Sequence, residues 1–317
     1  MSDNLTMTAI RQTTWGGPDT LQLATMPRPR PLPNDVLVRV VAAGVNPVDR
    51  YTREGQAYMN ALSLPFIPGW DLSGVVEAVG YGVTRFKAGD EVFGMPWFPR
   101  PAGAYAQFAS APARHLAPKP PSLSHEQAAA LPLAGLTAWQ MLVEVANVGP
   151  GQRVLINGGA GGVGHLAIQV AKSQGAYVIA TARKPKHAFL YALGADEAVD
   201  YTHAPVEEQV GDVDAVIELV GGDVCLRMLK TLRPGGILVS AQAAWAPALQ
   251  ETARALGVRA SWYLVEPDAR GLAFLSRLVD EGQLKVHLAQ TLPLSDAARA
   301  QDALGDGHAT GKIVLRI

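Results

Sequence analysis

The sequence predicts an α/β protein in which a doubly wound parallel sheet is inserted into a lobe of mainly antiparallel β structure. Two observations carry this prediction. In residues 35–41, DVLVRVV, polar and apolar side chains partly alternate along the chain. Short strand-like segments between Gly, Pro and Asp follow, and this pattern is typical of antiparallel strands. After Gly151, apolar strands alternate with helical segments, which is typical of parallel βαβ units.

The first lobe is predicted to contain strands at 35–41, 74–79 and 91–93. A helical stretch then follows Ser124, which has capping-box spacing to Gln127. Pro132 lies inside this stretch and lacks a backbone N–H, so we expect it to divide the stretch into two helices.

The parallel sheet is predicted from the apolar segments RVLIN, YVIAT, EAVDY, DAVIELV and ILVSA, with helices at about 162–173 and 186–193. A further strand near 258–265 is expected at the edge of this sheet. Two later helices, near 268–281 and 295–304, and the closing strand KIVLRI do not continue the alternation, so we expect them to return to the first lobe. The predicted domains are therefore 1–126 plus 266–317, and 127–265.

Composition excludes several classes of protein. The chain has 317 residues, 48% of them hydrophobic and 17% charged, with a formal net charge of −1, so nucleic acid is not expected as a main partner. Its one cysteine, Cys225, excludes a disulfide framework and a cysteine-rich metal site within the chain. No signal-peptide pattern and no apolar run of about 18 residues are found, which predicts a soluble cytoplasmic protein without membrane contact.

A glycine-rich segment lies between an apolar strand and an amphipathic helix, in RVLINGGAGGVGHLAIQVAK. Glycines at this turn permit close approach of the backbone to a pyrophosphate, and the helix N-terminus presents free N–H groups to it. A turn that serves packing alone is the alternative. The pattern G-x-G-x-x-G predicts a dinucleotide-binding loop formed by Gly159, Ala160, Gly161, Gly162, Val163 and Gly164.

The residues after the next strand indicate which dinucleotide binds. An acidic side chain would be expected there for NAD, but Arg183 and Lys184 follow YVIAT. Two cations can pair with a 2′-phosphate, and Tyr201 after the following strand is placed to assist, so NADPH is the predicted cofactor. The alternative is that Arg183, Lys184 and Lys186 form a solvated entrance to a helix.

Several motifs, in their order and spacing, resemble the quinone oxidoreductase branch of the medium-chain dehydrogenase/reductase superfamily, the zeta-crystallin-like proteins. They are AAGVNPVD, LPFIPGWDLSGVVEAVG, AGLTAW, NGGAGGVGHLAIQ and GKIVL, and the similarity runs from about Asn34 to Ile317. The resemblance implies a GroES-like catalytic domain with a Rossmann insert, in agreement with the division made above.

The zinc-containing alcohol dehydrogenases of the same superfamily carry a ligand Cys and a ligand His at positions where this chain has Asn46 and Trp70. Asp71 stands where those enzymes have a Glu. Because Asn and Trp are not usual zinc ligands and the four-cysteine lobe is missing, no metal site is predicted.

The resemblance places Asn46 beside the nicotinamide, where its amide would hold a carbonyl oxygen or the cofactor ribose. Tyr51 is a candidate hydrogen donor, with a buried structural tyrosine as the alternative. Thr137 matches a position beneath the nicotinamide. Lys312 is expected either to reach the cofactor or to be a surface lysine before a strand. Asp49 is interpreted as an anchor of its loop rather than a proton donor.

Aromatic side chains offer candidate substrate walls. Trp70, Trp97 and Phe98 would stack on a planar conjugated substrate, with core packing as the alternative. His165 is assigned no role. Cys225 is predicted to be a buried, inert thiol.

The function predicted is zinc-independent transfer of a hydride from NADPH to a quinone or an α,β-unsaturated carbonyl compound. The alternative is a non-catalytic NADPH-binding structural or RNA-binding protein, since a fold does not determine function. A homodimer is expected through the edge strand near residues 260–265, as in relatives.

Overall fold

The computed structural model describes residues 5–242, 246, 248–304 and 309–317. The strands are β1 (Thr6–Gln12), β2 (Leu21–Pro27), β3 (Asp35–Val45), β4 (Asp71–Val79), β5 (Glu91–Gly94), β6 (Phe108–Pro112), β7 (Leu116–Pro118), β8 (Arg153–Asn157), β9 (Tyr177–Thr181), β10 (Glu197–Val199), β11 (Val213–Glu218), β12 (Leu232–Ser240), β13 (Arg259–Trp262), β14 (Leu288–Pro293) and β15 (Lys312–Arg316).

The α-helices are α1 (Pro47–Arg53), α2 (His125–Ala130), α3 (Pro132–Trp139), α4 (Gly164–Ser173), α5 (His187–Ala192), α6 (Val206–Gln209), α7 (Gly222–Met228), α8 (Leu249–Ala255), α9 (Ala269–Asp280) and α10 (Ala297–Ala303). A π-helical stretch, Gln140–Val145, continues α3. Short 3₁₀ turns occupy Pro18–Thr20, Ala113–His115, Lys184–Lys186, Leu229–Thr231 and Leu294–Asp296.

The chain forms two compact units. The first comprises Met1–Leu136, Glu266–Asp280 and Val286–Ile317, and the second comprises Thr137–Val265 and Glu281–Lys285. The predicted domain limits at residues 126 and 265 stay a prediction, because compactness alone does not show which segments fold together.

The second unit contains a six-stranded sheet in the order β10-β9-β8-β11-β12-β13, and its neighbouring strands are parallel. This order is that of a doubly wound dinucleotide-binding fold, in which the strand order reverses beside the first strand. The turn between β8 and α4 lies at that reversal, so the glycine-rich segment occupies the place where such sheets bind ligands. The predicted α/β fold class is confirmed.

The first unit contains a mainly antiparallel sheet in the order β14-β15-β3-β4-β5-β7, with β6 also paired to β3. β15 pairs antiparallel with β3, and Ile313 lies opposite Val45. The closing strand therefore returns to the first lobe, as the sequence predicted. This pairing brings Lys312 close to Asn46 although the two are far apart in sequence.

The helical stretch after residue 124 is divided at Pro132, as predicted. Ser124 caps α2 by accepting a hydrogen bond from the backbone N–H of Gln127 at 3.2 Å. α2 packs so closely on the first sheet that a Cβ on Gly44 would lie 2.4 Å from the carbonyl oxygen of Ala129. Interior packing of this kind requires glycine at that point of β3.

Several predicted elements differ in length from those observed, including β3 and β4, which are longer than the predicted strands at 35–41 and 74–79. The helix after the glycine-rich segment begins at Gly164 rather than near residue 162, because the preceding residues still form the turn. The edge strand is Arg259–Trp262, shorter than the predicted 258–265, and within the described part of the chain it pairs with β12 alone.

Candidate functional site

The turn between β8 and α4 requires glycine for steric reasons at its two ends. Gly158 adopts a φ of +91°, which favours glycine. A Cβ on Gly164 would lie 2.2 Å from the carbonyl oxygen of Gly158, and one on Gly159 would lie 2.9 Å from the Cβ of Ala180. These glycines bring the helix start against the end of the strand, as a dinucleotide-binding turn requires.

The middle glycine of the turn behaves differently. Among the described residues, a Cβ on Gly161 would meet the Gly158 carbonyl oxygen alone, at 3.4 Å, which is ordinary contact. Close packing within the chain therefore does not explain a glycine here, whereas close approach of a ligand does. Gly161, Gly162 and Val163 are partly exposed, and the positive end of the α4 dipole lies at this turn. The turn fits a pyrophosphate.

The cations predicted to select the cofactor follow β9, and Tyr201 follows the neighbouring strand β10. Arg183 and Lys184 are exposed, and Arg183 Nε donates a hydrogen bond to the Tyr201 hydroxyl at 3.1 Å. Asp200 accepts a hydrogen bond from the backbone N–H of Lys184 at 3.1 Å, which holds the two strand ends together. The structure thus brings Arg183 and Tyr201 together on one surface.

In the first unit, Asn46 lies in a buried polar cluster with Lys312 and Asp71. Asn46 is 2% exposed and Lys312 is 3% exposed. The Lys312 ammonium group donates to the Asn46 amide oxygen and to the Val45 carbonyl oxygen, the latter at 3.2 Å. The Asn46 amide nitrogen donates to Asp71 Oδ2 at 2.9 Å. Lys312 is therefore not the surface lysine of the alternative interpretation.

The charges of this cluster are strongly affected by burial. Burial lowers the pKa of Lys312, while the carboxylates of Asp71 and Asp49 act in the opposite direction. Burial also raises the pKa of Asp71, against the effect of the Lys312 ammonium group. Asp71 Oδ1 accepts a hydrogen bond from the backbone N–H of Leu133 at 2.8 Å, so both of its oxygens are bonded.

Asp49 lies beneath Asn46 at the start of α1. Its Oδ2 accepts hydrogen bonds from the backbone N–H of Asn46 at 2.7 Å and from the Tyr105 hydroxyl at 2.9 Å. Among the described residues, Asp49 Oδ1 has no hydrogen-bond partner. Burial raises the pKa of Asp49 to about 7, and these hydrogen bonds only partly offset the increase. The contacts support its interpretation as an anchor of the loop.

The other predicted site residues lie on two helices. Tyr51 is half-buried on α1, and Thr137 is buried on α3 at the first position of the second unit.

Trp70, Phe98 and Tyr58 form an aromatic group in the first unit. The Trp70 and Phe98 rings lie edge to face with centroids 5.2 Å apart, and Tyr58 lies 5.4 Å from Phe98 in the same manner. Trp70 and Phe98 are buried, and the Trp97 indole N–H donates to the Ser110 carbonyl oxygen at 3.0 Å. Sequence reasoning missed Tyr58, whose positive φ is not visible as a motif.

The positions that hold zinc in related alcohol dehydrogenases do not offer zinc ligands. The Trp70 indole N–H donates to the Arg100 carbonyl oxygen at 2.8 Å, and the Asn46 amide oxygen is engaged by Lys312. Within residues 5–242, 246, 248–304 and 309–317, no group of three or more His, Cys, Asp or Glu side chains is arranged to hold a metal ion. The donor chemistry therefore does not fit zinc.

Two nucleophile candidates prove to be structural. Ser73 and His125 Nδ1 lie 2.8 Å apart, and His125 Nε2 lies 3.2 Å from Glu91. Ser73 is fully buried and donates its hydroxyl hydrogen to the Val92 carbonyl oxygen, so it is not available to attack a substrate. Cys225 is fully buried, as predicted, and burial raises the pKa of its thiol to about 12, which disfavours the reactive thiolate.

His165 is also structural. It is fully buried, and its Nδ1 lies 3.0 Å from the Gly161 carbonyl oxygen.

No helix among the described residues has the length and apolar character needed to cross a bilayer.

Comparisons with known proteins identify the family. A model of the alcohol dehydrogenase GroES-like domain matches residues 32–121, and a model described as zinc-binding dehydrogenase matches residues 193–315. The chain is 33% identical to quinone oxidoreductase of Mus musculus over 98% of this chain and 97% of the relative. It is 35% identical to the NADPH-dependent alkenal/one oxidoreductase of Arabidopsis thaliana chloroplasts over 95% of this chain and 77% of that protein.

The similarity extends to a solved structure. The quinone oxidoreductase of Coxiella burnetii superposes with a TM-score of 0.94 at 39% identity, covering 98% of this chain and 99% of that one. The family, the GroES-like lobe and the Rossmann sheet expected from the motifs are thereby confirmed. The chain is an oxidoreductase that belongs to the quinone oxidoreductase branch of the medium-chain dehydrogenase/reductase superfamily.

Proposed function

We propose that this oxidoreductase uses NADPH to reduce a quinone or an α,β-unsaturated carbonyl compound without zinc. The observation that carries the proposal is the glycine turn that fits a pyrophosphate, followed by Arg183 and Tyr201 on neighbouring strand ends. The names of the Mus musculus and Arabidopsis thaliana relatives support the substrate class. When bound, NADPH supplies the hydride.

Preference for NADPH follows from charge. The 2′-phosphate is an anion that Arg183 and Lys184 can pair with, whereas the ribose 2′-OH of NADH offers these cations no charge to bind. Tyr201 orients the Arg183 guanidinium group by accepting its Nε–H. The solvated-entrance alternative predicts equal binding of the two cofactors.

The cluster around Asn46 supplies a polarised hydrogen-bond donor. An amide nitrogen carries two hydrogens, and Asp71 accepts one of them from Asn46. We assign the second to the substrate carbonyl oxygen or to the cofactor ribose. The Lys312 ammonium group bonded to the amide oxygen draws electron density from the nitrogen, which strengthens this donor. Lys312 therefore acts through Asn46 in this proposal.

This donor takes the place of a Lewis acid. Negative charge develops on the substrate oxygen as hydride arrives, and an oriented N–H group in a dry site stabilises such charge. We assign Thr137 to the orientation of the nicotinamide ring. Tyr51 or solvent supplies the proton that completes reduction.

The experiment that tests the proposal follows NADPH absorbance in the presence of 1,2-quinones, 1,4-quinones and short enones. We expect oxidation of NADPH with at least one of these classes, and much slower oxidation of NADH. Metal analysis of the active protein should find less than stoichiometric zinc. Absence of turnover across the panel would overturn the proposal, and tight NADPH binding without turnover would favour the non-catalytic hypothesis.

We also propose that the protein forms a homodimer through β13. This strand is an edge of the six-stranded sheet, and Trp262 and Leu264 on and after it are 56% and 48% exposed. An edge strand with exposed apolar side chains can pair with its own copy across a two-fold axis. Light scattering tests this: Trp262→Glu should convert the dimer to a monomer, and a wild-type monomer would refute the assignment.

A further inference from the structure

Four neighbouring strands of the parallel sheet each end in a polar residue. They are Thr181 on β9, Asn157 on β8, Glu218 on β11 and Ser240 on β12. Glu218 lies in register with both Asn157 and Ser240. Because parallel strands end at one edge of the sheet, these side chains form a row along the edge that carries the glycine turn.

The row is one continuous chain of hydrogen bonds. The Thr181 hydroxyl donates to Asn157 Oδ1 at 2.8 Å, and Asn157 Nδ2 donates to Glu218 Oε1 at 3.1 Å. From the other side, the Ser240 hydroxyl donates to Glu218 Oε2 at 3.3 Å. All four residues are buried, so water does not compete for these bonds.

Two members of the chain also hold loop backbone. Thr181 Oγ1 accepts the N–H of Gly158 at 2.9 Å, which is the first residue of the glycine turn. Glu218 also accepts the N–H groups of Val220 and Gly221, at 2.8 and 3.0 Å. The loops after β8 and β11 are thus fastened to each other through side chains.

The carboxylate sets the direction of every bond in the chain. Glu218 has no hydrogen to donate when ionised, so the Asn157 amide nitrogen must face it and the amide oxygen must face Thr181. The Thr181 hydroxyl then gives its one hydrogen to that oxygen, which leaves its lone pair for the Gly158 N–H. A neutral group at position 218 does not impose this order.

We propose that Glu218 is a positioning residue of the dinucleotide site, which holds the glycine turn in its binding conformation through Asn157 and Thr181. The inference rests on the proposed function, since it assumes that the turn binds the cofactor. Because the pyrophosphate is common to NADPH and NADH, loss of the chain weakens binding of both cofactors by the same factor.

Binding titrations of NADPH and NADH to Glu218→Gln and Thr181→Val test this inference. We expect each substitution to weaken the binding of both cofactors about five- to twentyfold. The lower value corresponds to the loss of one buried hydrogen bond between neutral groups, and the upper value to the loss of about one hydrogen bond to a charged group. The double variant should bind about as weakly as the weaker single variant, because both substitutions interrupt one chain. Thr181→Ser keeps the hydroxyl and should bind almost as wild type does.

Thr231→Val provides a matched control. Thr231 is a buried threonine of the same unit whose hydroxyl donates to the Met228 carbonyl oxygen at 2.8 Å, in the turn before β12. We expect Thr231→Val to lower the free energy of unfolding by about as much as Thr181→Val does. Its affinity for the cofactors should not change. Urea unfolding of each variant separates loss of folded protein from loss of affinity.

The inference would be overturned by unchanged affinity in folded Glu218→Gln, by independent effects in the double variant, or by binding of Thr181→Ser as weak as that of Thr181→Val. Failure of wild-type protein to bind either dinucleotide would instead overturn the proposed function. An effect on NADPH alone would also overturn the inference, because it would place the disturbance at the 2′-phosphate.

Discussion

The ammonium group of Lys312 is bonded to the amide oxygen of Asn46 inside the first unit, where both side chains are almost fully buried. The two residues meet because the closing strand β15 pairs with β3. A buried cation is costly unless anions and acceptors surround it, and here Asp71 Oδ2 lies 3.8 Å away. The arrangement has consequences for stability that can be measured.

Lys312→Met should lower the free energy of unfolding by about 3–5 kcal/mol, because it leaves the buried Asp71 carboxylate without its cation. The double variant Lys312→Met/Asp71→Asn should recover part of this loss, since it removes the uncompensated charge. Urea unfolding of both variants measures the difference. If the double variant were as unstable as the single one, the loss would come from packing rather than charge.

Asp49 should make the protein less stable as pH rises. Its pKa is raised from 3.8 to about 7 by burial, so the folded state holds a proton that the unfolded state releases between these values. Its contribution is therefore fully present below about pH 4 and is lost as pH rises to about 7, by about 4 kcal/mol in total.

Asp49→Asn tests this pH dependence, because an amide keeps an oxygen to accept from Tyr105 and from the backbone. We expect the variant to lack the decline in unfolding free energy across this range that wild type shows. Asp71 and Lys312 lie near Asp49 and their charges also act on its pKa, so both residues are left unsubstituted in this comparison. Identical pH profiles for wild type and variant would contradict the assignment.

Gly164→Ala should abolish cofactor binding, because the added Cβ would lie 2.2 Å from the Gly158 carbonyl oxygen and must push α4 away from the turn. Gly149→Ala is the matched control, since a Cβ there has no atom of the described residues within 4 Å. NADPH titration and thermal unfolding of both variants are the measurements. Binding by Gly164→Ala at wild-type affinity would show that the turn does not hold the pyrophosphate.

Arg183→Ala should weaken NADPH binding about ten- to a hundredfold and leave NADH binding unchanged, because the lost bond is to the 2′-phosphate alone. Arg254→Ala removes another exposed arginine of the same unit, on α8, and serves as the control for net charge. The dissociation constants of both cofactors are measured for each variant. Equal weakening of NADPH by the two substitutions would point to a general charge effect.

Strand and helix periodicity, the capping box of Ser124 and Gln127, and the glycine pattern were local signals, and they predicted the parallel sheet and the position of the dinucleotide turn. The polar row at the sheet edge is also visible in the sequence. The segments RVLIN, YVIAT and ILVS each end in a polar residue after apolar ones, and Glu218 ends β11 in the same way.

Tertiary structure decided which of these residues meet. Lys312 contacts Asn46 only because β15 pairs with β3, a strand that lies near the other end of the sequence. Glu218 contacts Asn157 only because β11 lies beside β8. Periodicity reports which face of a strand is buried, but it carries no information on which strand becomes its neighbour. Burial in those pairings then shifted the pKa of Asp49 and Lys312, which no local pattern determines.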